Sequence, residues 1–140
     1  MSTSLQRIRY EDLNSRQKES YNFQKVSALL ADYGFATIRL SDDWQGADFI
    51  AQHQDGVTFL KVQLKGRAAI YRKYEGRDLH ICFPDGPDWY LYPHDDVVRL
   101  LLQSTGIGGT ESWLTDGGYS WPGLSRQMRE LLAPWRLSAV

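Results

Sequence analysis

The sequence has one cysteine, three histidines and no apolar run close to the roughly 20 residues that a membrane-spanning helix needs. Cys82 therefore has no partner for an internal disulfide, and its apolar setting in LHICF indicates a buried, unreactive thiol. No Cys or His spacing indicates a zinc site. The polar N-terminal segment lacks an apolar signal core, so we expect a cytoplasmic protein without membrane association.

The sequence also lacks a strong charge of one sign, because its formal net charge is −1. Net charge alone thus gives no reason to expect binding to polyanions. The charge is nevertheless uneven, since basic residues dominate between positions 61 and 77. This excess is either a set of phosphate contacts or the solvated surface of strands and turns. Its basic members are Lys61, Lys65, Arg67, Arg72, Lys73 and Arg77, and Glu75 is the single acid.

Length and hydrophobic periodicity predict the fold class. A chain of 140 residues fits one domain, 1–140, with residues 1–13 as a loose N-terminal arm. Helices are predicted from Asn14 or Ser15 to Gly34, over 95–103, and from Pro122 with Ser120 as cap. Strands are predicted over 35–40, 47–53, 57–65, 67–71, 79–83 and 89–93, with irregular segments at 41–46 and 104–120. This order predicts an α/β fold with a mixed, largely antiparallel central sheet flanked by helices.

Asp55-Gly56, between two runs of strand-like sequence, predicts a β-hairpin closed by a two-residue type I′ turn. That turn sets Asp48 directly opposite Gln63 on one face of the sheet. Lys65, two residues beyond Gln63, points to the same face. Local geometry thus brings together a carboxylate, an amide oxygen and an amine. The alternative is a sheet with one hydrated face, because the other face of the third strand is apolar.

GADFIA (46–51), the Asp55-Gly56 turn and KVQLKGR (61–67) together resemble the core of the PD-(D/E)XK nuclease superfamily. In that superfamily an acid on one strand and Glu-x-Lys or Gln-x-Lys on the next follow a helix, as they do over 15–83 here. The resemblance implies a restriction-endonuclease-like core. The chain departs from the family pattern at Ala47, where the family has proline, and at Gln63, where a neutral amide replaces the second acid.

The resemblance implies a metal-dependent endonuclease that hydrolyses phosphodiester bonds in DNA. Its cofactor would be Mg²⁺ or Mn²⁺, held by Asp48, Gln63 and the backbone carbonyl of Leu64, all of them hard oxygen ligands. Lys65 would orient the attacking hydroxide or stabilise the charged transition state. The family also takes a polar group from the first helix, which indicates Glu19. An exposed acid near a helix N-terminus is the alternative for Glu19.

Nucleic acid is the implied partner, with Lys61, Arg67, Arg72 and Lys73 as phosphate contacts. The resemblance also implies a homodimer, since the chain has little room for a separate recognition domain. WYLYPHDD further offers His94 as an acid or phosphate contact, although the favoured interpretation is that His94 or Asp95 caps the next helix.

Two other interpretations of the chain remain open. One is a catalytically weak or inactive nuclease-fold module that binds nucleic acid or a protein, which Gln63 and the near-neutral charge favour. The other is a structural or regulatory subunit in which Asp48, Gln63 and Lys65 do not converge.

Overall fold

A computed structural model describes residues 4–44 and 46–138, with 43 and 44 described by their backbone alone. Six strands form the central sheet in the order β1-β2-β3-β5-β6-β8, and β4 pairs with β7 in a separate small sheet. Only the β3–β5 pair is parallel among the described strands. The strands are β1 (Phe35–Trp44), β2 (Ala47–His53), β3 (Phe59–Leu64), β4 (Ala69–Tyr71), β5 (Leu79–Asp85), β6 (Asp88–Pro93), β7 (Gly118–Ser120) and β8 (Arg136–Leu137).

The α-helices of the described chain are α1 (Ser15–Ala31), α2 (His94–Ser104) and α3 (Arg126–Leu132). The predicted α/β class, with a mixed and largely antiparallel sheet accompanied by helices, is confirmed by this topology. None of the described helices combines the length and the apolar character needed to cross a membrane.

Buried apolar side chains in the described chain form two clusters on opposite faces of the sheet. On one face, Val26 and Leu30 of α1 pack with Phe49, Val62 and Cys82. Burial of Cys82 raises the pKa of its thiol, in keeping with the unreactive thiol that the sequence indicates. The other face carries the larger cluster, which joins β5 and β6 to α2 and α3 and includes Ile81, Phe83, Tyr92, Leu101 and Leu132.

Helix α1 begins where the sequence predicts and ends at Ala31, three residues before the predicted Gly34. Asn14 accepts a hydrogen bond from Gln17 N (2.9 Å), and the Gln17 side chain accepts one from Asn14 N (2.9 Å). This capping box satisfies two of the backbone donors that a helix leaves unpaired at its start. After the helix, Gly34 has a φ of +85°, the left-handed conformation that glycine adopts most readily.

The loop of the β2–β3 hairpin differs from the predicted type I′ turn. His53 N donates to the carbonyl of Thr58 (2.9 Å), so four residues separate the closing pair. Asp55 also lacks the positive φ that a type I′ turn requires; among the described non-glycine residues only Asp78 has one. The Asp55 carboxylate instead accepts hydrogen bonds from the backbone N–H groups of Thr58 and Val57, which lowers its pKa to about 2.

The predicted register is nevertheless confirmed. Phe49 pairs with Val62 and Ile50 with Lys61. The four-residue loop has the same centre as the predicted two-residue turn, between Asp55 and Gly56. The residues that pair across the two strands are therefore the same in both. The error in turn type therefore moves no side chain to the other face of the sheet.

The predicted irregular segments contain regular structure. β1 continues through 41–44 after an irregularity beyond Arg39, while Gln45 lies outside the described residues. Within 104–120 there are a 3-10 turn, a π-helical turn and β7. The predicted start of the last helix at Pro122 is wrong: α3 begins at Arg126, and Ser125 caps it by accepting from Met128 N (3.2 Å).

Candidate active site

A cleft of about 1020 Å³ opens between the first half of α1 and the end of the β2–β3 hairpin. Asp48, Gln63, Leu64 and Lys65 line its hairpin side, and Glu19 lines its helix side. These five residues are those that the sequence analysis assigned to catalysis and metal binding. The structure brings them to one cleft, so the convergence of Asp48, Gln63 and Lys65 expected from the hairpin register is present.

Asp48 lies where regular pairing between β2 and β3 ends, one step beyond the Phe49–Val62 pair. Its Oδ2 accepts a hydrogen bond from Leu64 N at 2.8 Å. The carboxylate thus accepts from the Leu64 N–H, which would bond to the backbone of β2 if the pairing of the two strands continued. This bond fixes the orientation of the half-buried carboxylate at the cleft.

Gln63 is almost fully buried, with 8% of its surface exposed. Its Oε1 is buried and has no hydrogen-bond partner. A buried polar atom without a partner costs on the order of 1–3 kcal/mol and calls for a physical explanation. A bound cation or water would satisfy this oxygen, and either fits a residue that lines a polar cleft.

Lys65 continues the sheet beyond β3, because its backbone N donates to the Cys82 carbonyl (2.8 Å). Its ammonium lies 4.9 Å from the ring centroid of Tyr71 and 5.8 Å from that of Tyr74. Neither tyrosine is a candidate on sequence grounds. The only local signal is their position around two basic residues in YRKY (71–74), which is not a recognised motif.

The walls of the cleft that α1 and β1 provide carry further charges. Arg39 donates to Ser20 Oγ (2.8 Å), and its guanidinium lies 5.6 Å from the ring centroid of Phe23. Both contacts hold the β1 arginine against α1. The basic residues lining the cleft are Arg16, Lys18, Arg39 and Lys65, and the acidic ones are Glu19, Asp42 and Asp48.

The donor set of the cleft determines which metal it can hold. In the described ranges, no three side chains of the His, Cys, Asp or Glu type are grouped so that they could hold a metal ion. A cation at this site would therefore depend on the Asp48 carboxylate and the unpartnered Gln63 amide oxygen. Both are hard oxygen donors, which fits Mg²⁺ or Mn²⁺ rather than zinc.

The four basic residues predicted to contact nucleic acid are absent from the cleft lining. Lys61 donates to the Arg77 carbonyl (2.6 Å), and Arg72 donates to the Trp113 carbonyl (2.5 Å) while its guanidinium lies over the Trp113 ring. These two side chains hold loops in place. Arg67 and Lys73 are exposed, and the Lys73 ammonium lies beside Tyr71 and Tyr74.

Comparison with known proteins gives a distant likeness among solved structures. No protein-family model and no curated protein matches the chain. Among solved structures, Hjc, a Holliday junction resolvase from the archaeal hyperthermophile Archaeoglobus fulgidus, is 17% identical with a TM-score of 0.42. The match covers 56% of this chain and 74% of the resolvase. A likeness this distant assigns neither a family nor an activity.

Proposed function

We propose that this protein is a metal-dependent endonuclease that hydrolyses phosphodiester bonds, with DNA as its substrate. The observation that carries the proposal is the convergence of Asp48, Gln63 and Lys65 on one cleft, where the buried Gln63 oxygen has no partner. The resemblance of 15–83 to the PD-(D/E)XK superfamily gives the same three residues a common chemistry.

Asp48 and Gln63 would hold Mg²⁺ or Mn²⁺, together with the backbone carbonyl of Leu64. Support for the third ligand comes from the Leu64 N–H, which points to Asp48. The N–H and C=O of one strand residue lie on the same side of the strand, so the Leu64 carbonyl faces that side too. When bound, the metal supplies a water of lowered pKa and neutralises charge on the phosphate.

Lys65 supplies a positive charge and hydrogen-bond donors where negative charge develops on the reacting phosphate. Hydrolysis requires a water oxygen to bond to phosphorus while the bond to the leaving oxygen breaks and that oxygen gains a proton. Glu19 adds a carboxylate on the opposite wall of the cleft, where it can hold a water by hydrogen bonding.

Substrate contacts in the proposal come mainly from the cleft walls. Arg16, Lys18 and Arg39 extend the positive charge of Lys65 along the cleft and would contact backbone phosphates. Arg67 and Lys73 add exposed charges outside the cleft. We include a homodimer in the proposal, so that two clefts meet the two strands of a duplex.

The test is cleavage of supercoiled DNA by the purified protein with Mg²⁺ or Mn²⁺, compared with the same reaction in EDTA. We expect metal-stimulated nicking that Asp48→Asn and Lys65→Met abolish. Lys25→Met is the matched control, because Lys25 lies outside the cleft with its ammonium over Tyr21. Absence of metal-stimulated cleavage on supercoiled, branched and single-stranded DNA and on RNA would refute the proposal.

The second candidate is a nuclease-fold module that binds nucleic acid without cleaving it. The neutral side chain of Gln63, and the lack of a three-residue metal cluster in the described chain, favour it. This candidate predicts salt-dependent binding without turnover. Binding that survives Asp48→Asn, together with no cleavage by the wild type, would support it over the endonuclease.

A further inference from the structure

Two tyrosines beside the Lys65 ammonium also contact each other, which the proposed chemistry does not by itself require. The rings of Tyr71 and Tyr74 lie 5.3 Å apart at an interplanar angle of 77°. The ammonium groups of Lys65 and Lys73 each lie within 6 Å of both ring centroids. An ammonium at this distance is attracted by the negative face of an aromatic ring. We call Tyr71 and Tyr74 the aromatic clamp.

The aromatic clamp is itself held by a buried histidine. His94, which is fully buried, accepts a hydrogen bond at Nε2 from the backbone N of Tyr71 (3.0 Å). Its ring also packs edge-on against Tyr74, with the centroids 5.7 Å apart. Because Nε2 is the acceptor, the neutral imidazole carries its proton on Nδ1, which donates to Asp95 Oδ1 (3.0 Å).

Asp95 completes this connection. Its Oδ2 accepts a hydrogen bond from the backbone N of Gly76 at 2.9 Å. Segment 71–76 is thus tied to the start of α2 at both of its ends, through His94 at one and Asp95 at the other. The interpretation of His94 as a helix cap is wrong, since the N-cap residue is Pro93 and it makes no side-chain cap bond. Complete burial also keeps His94 from contacting a phosphate.

We propose that the aromatic clamp positions the Lys65 ammonium at the cleft, and that His94 and Asp95 hold the clamp in place. A lysine side chain has about 2 kcal/mol of rotamer entropy, so an unsupported ammonium would occupy many positions. Contact with two rings restricts the ammonium of Lys65, a residue that lines the cleft with Asp48 and Gln63, to one region. The effect on catalysis rests on the proposed function, whereas the effect on Lys65 itself does not. All four are positioning residues.

The direct test is NMR of the full chain with ¹³C-labelled lysine, in which Lys65 is assigned by its loss in Lys65→Met. We expect the Lys65 Hε signals upfield of the free-lysine position, with nuclear Overhauser contacts to ring protons of the clamp. Tyr71→Leu should return these signals to the free-lysine position. Tyr71→Phe keeps the ring and should preserve the upfield shift.

A matched control is available on α1, where the Lys25 ammonium lies 5.3 Å from the ring centroid of Tyr21. Tyr21→Leu should move the Lys25 signals and leave those of Lys65 unchanged. If Tyr71→Leu fails to fold, the wild-type contacts between Lys65 and the two rings decide the question. Wild-type Lys65 signals at the free-lysine position, or without those contacts, would overturn the proposal.

Kinetics separate this proposal from the proposed function. If the protein cleaves DNA, Tyr71→Leu should lower kcat by roughly 2- to 30-fold with little change in KM, the range expected for loss of a cation–π contact. Tyr71→Phe should restore the wild-type kcat. If the NMR shifts appear as expected but the protein cleaves no nucleic acid, the endonuclease proposal is refuted and the aromatic-clamp proposal stands. If the protein cleaves DNA but the Lys65 signals are unshifted, the aromatic-clamp proposal is refuted and the endonuclease proposal stands.

Discussion

Gln63→Glu is the substitution that tests the metal site most directly. It replaces a buried amide by a carboxylate of nearly the same shape, at an oxygen that has no hydrogen-bond partner. Without metal, the new carboxylate would be buried at the cleft where Asp48 already supplies a like charge. With metal, the same carboxylate would be a stronger ligand than the amide.

The expected loss of stability in Gln63→Glu follows from the cost of burying the new charge. Burial and the neighbouring Asp48 should raise the pKa of the introduced glutamate above its ordinary value of about 4.3. A rise of one to two units corresponds to about 1.4 to 2.8 kcal/mol of stability at neutral pH. For a chain of this size that lowers Tm by roughly 5 to 10 °C. Since the folded state binds the proton more tightly, the penalty vanishes below pH ~4 and grows as pH rises through the raised pKa.

The assay is thermal unfolding of Gln63→Glu and wild type, in EDTA and in saturating Mg²⁺ or Mn²⁺. Metal at about 100 times its Kd contributes about 2.7 kcal/mol, enough to offset the penalty. Gln52→Glu is the control, because it replaces an amide by a carboxylate on β2, outside the cleft. Its Tm should not change when metal is added. The reasoning fails if Gln63→Glu melts like the wild type in EDTA at neutral pH and metal stabilises neither protein.

Substitutions at three further positions test other contacts. Asp48→Asn keeps an oxygen for the Leu64 N–H and should fold like the wild type without cleaving. Asp48→Ala should lower the free energy of unfolding, measured in urea, by about 1–2 kcal/mol. If Asp48→Ala is as stable as the wild type, this hydrogen bond makes no net contribution to stability. Asn14→Ala removes the capping box and should cost about 1 kcal/mol in the same assay, with Asn14→Ser as the capped control. The backbone hydrogen bonds of Asp55 lower its pKa from 3.8 to about 2, so the Tm difference between wild type and Asp55→Ala should narrow as pH falls from 4 to 2; a constant difference would contradict this cause.

The part of the site on the hairpin could be predicted because it depends on local geometry. The pairing of Phe49 with Val62 follows from the centre of the hairpin loop and from alternation along two strands. The type of turn could not be predicted as safely. Asp55-Gly56 favours type I′, but hydrogen bonds from Val57 and Thr58 to the Asp55 carboxylate stabilise a longer loop.

Elements that depend on distant partners could not be predicted from local patterns. β8 has two residues and exists because it pairs with Trp89 and Tyr90. The polar end of β1 has the sequence of a loop. Ser41 and Asp42 are exposed there, and an exposed stretch of edge strand needs no apolar alternation. His94 and the aromatic clamp are likewise brought together by the packing of α2, which no spacing in the sequence reveals.

Among the basic residues over 61–77, Lys65 alone lines the cleft. Lys61, Arg72 and Arg77 donate to backbone carbonyls of the loops around them. The other basic residues that line the cleft lie far from this segment in the sequence: Arg16 and Lys18 on α1, and Arg39 on β1. A net charge of −1 is therefore compatible with a polyanionic substrate, because the field at a cleft depends on the charges that line it and not on the total.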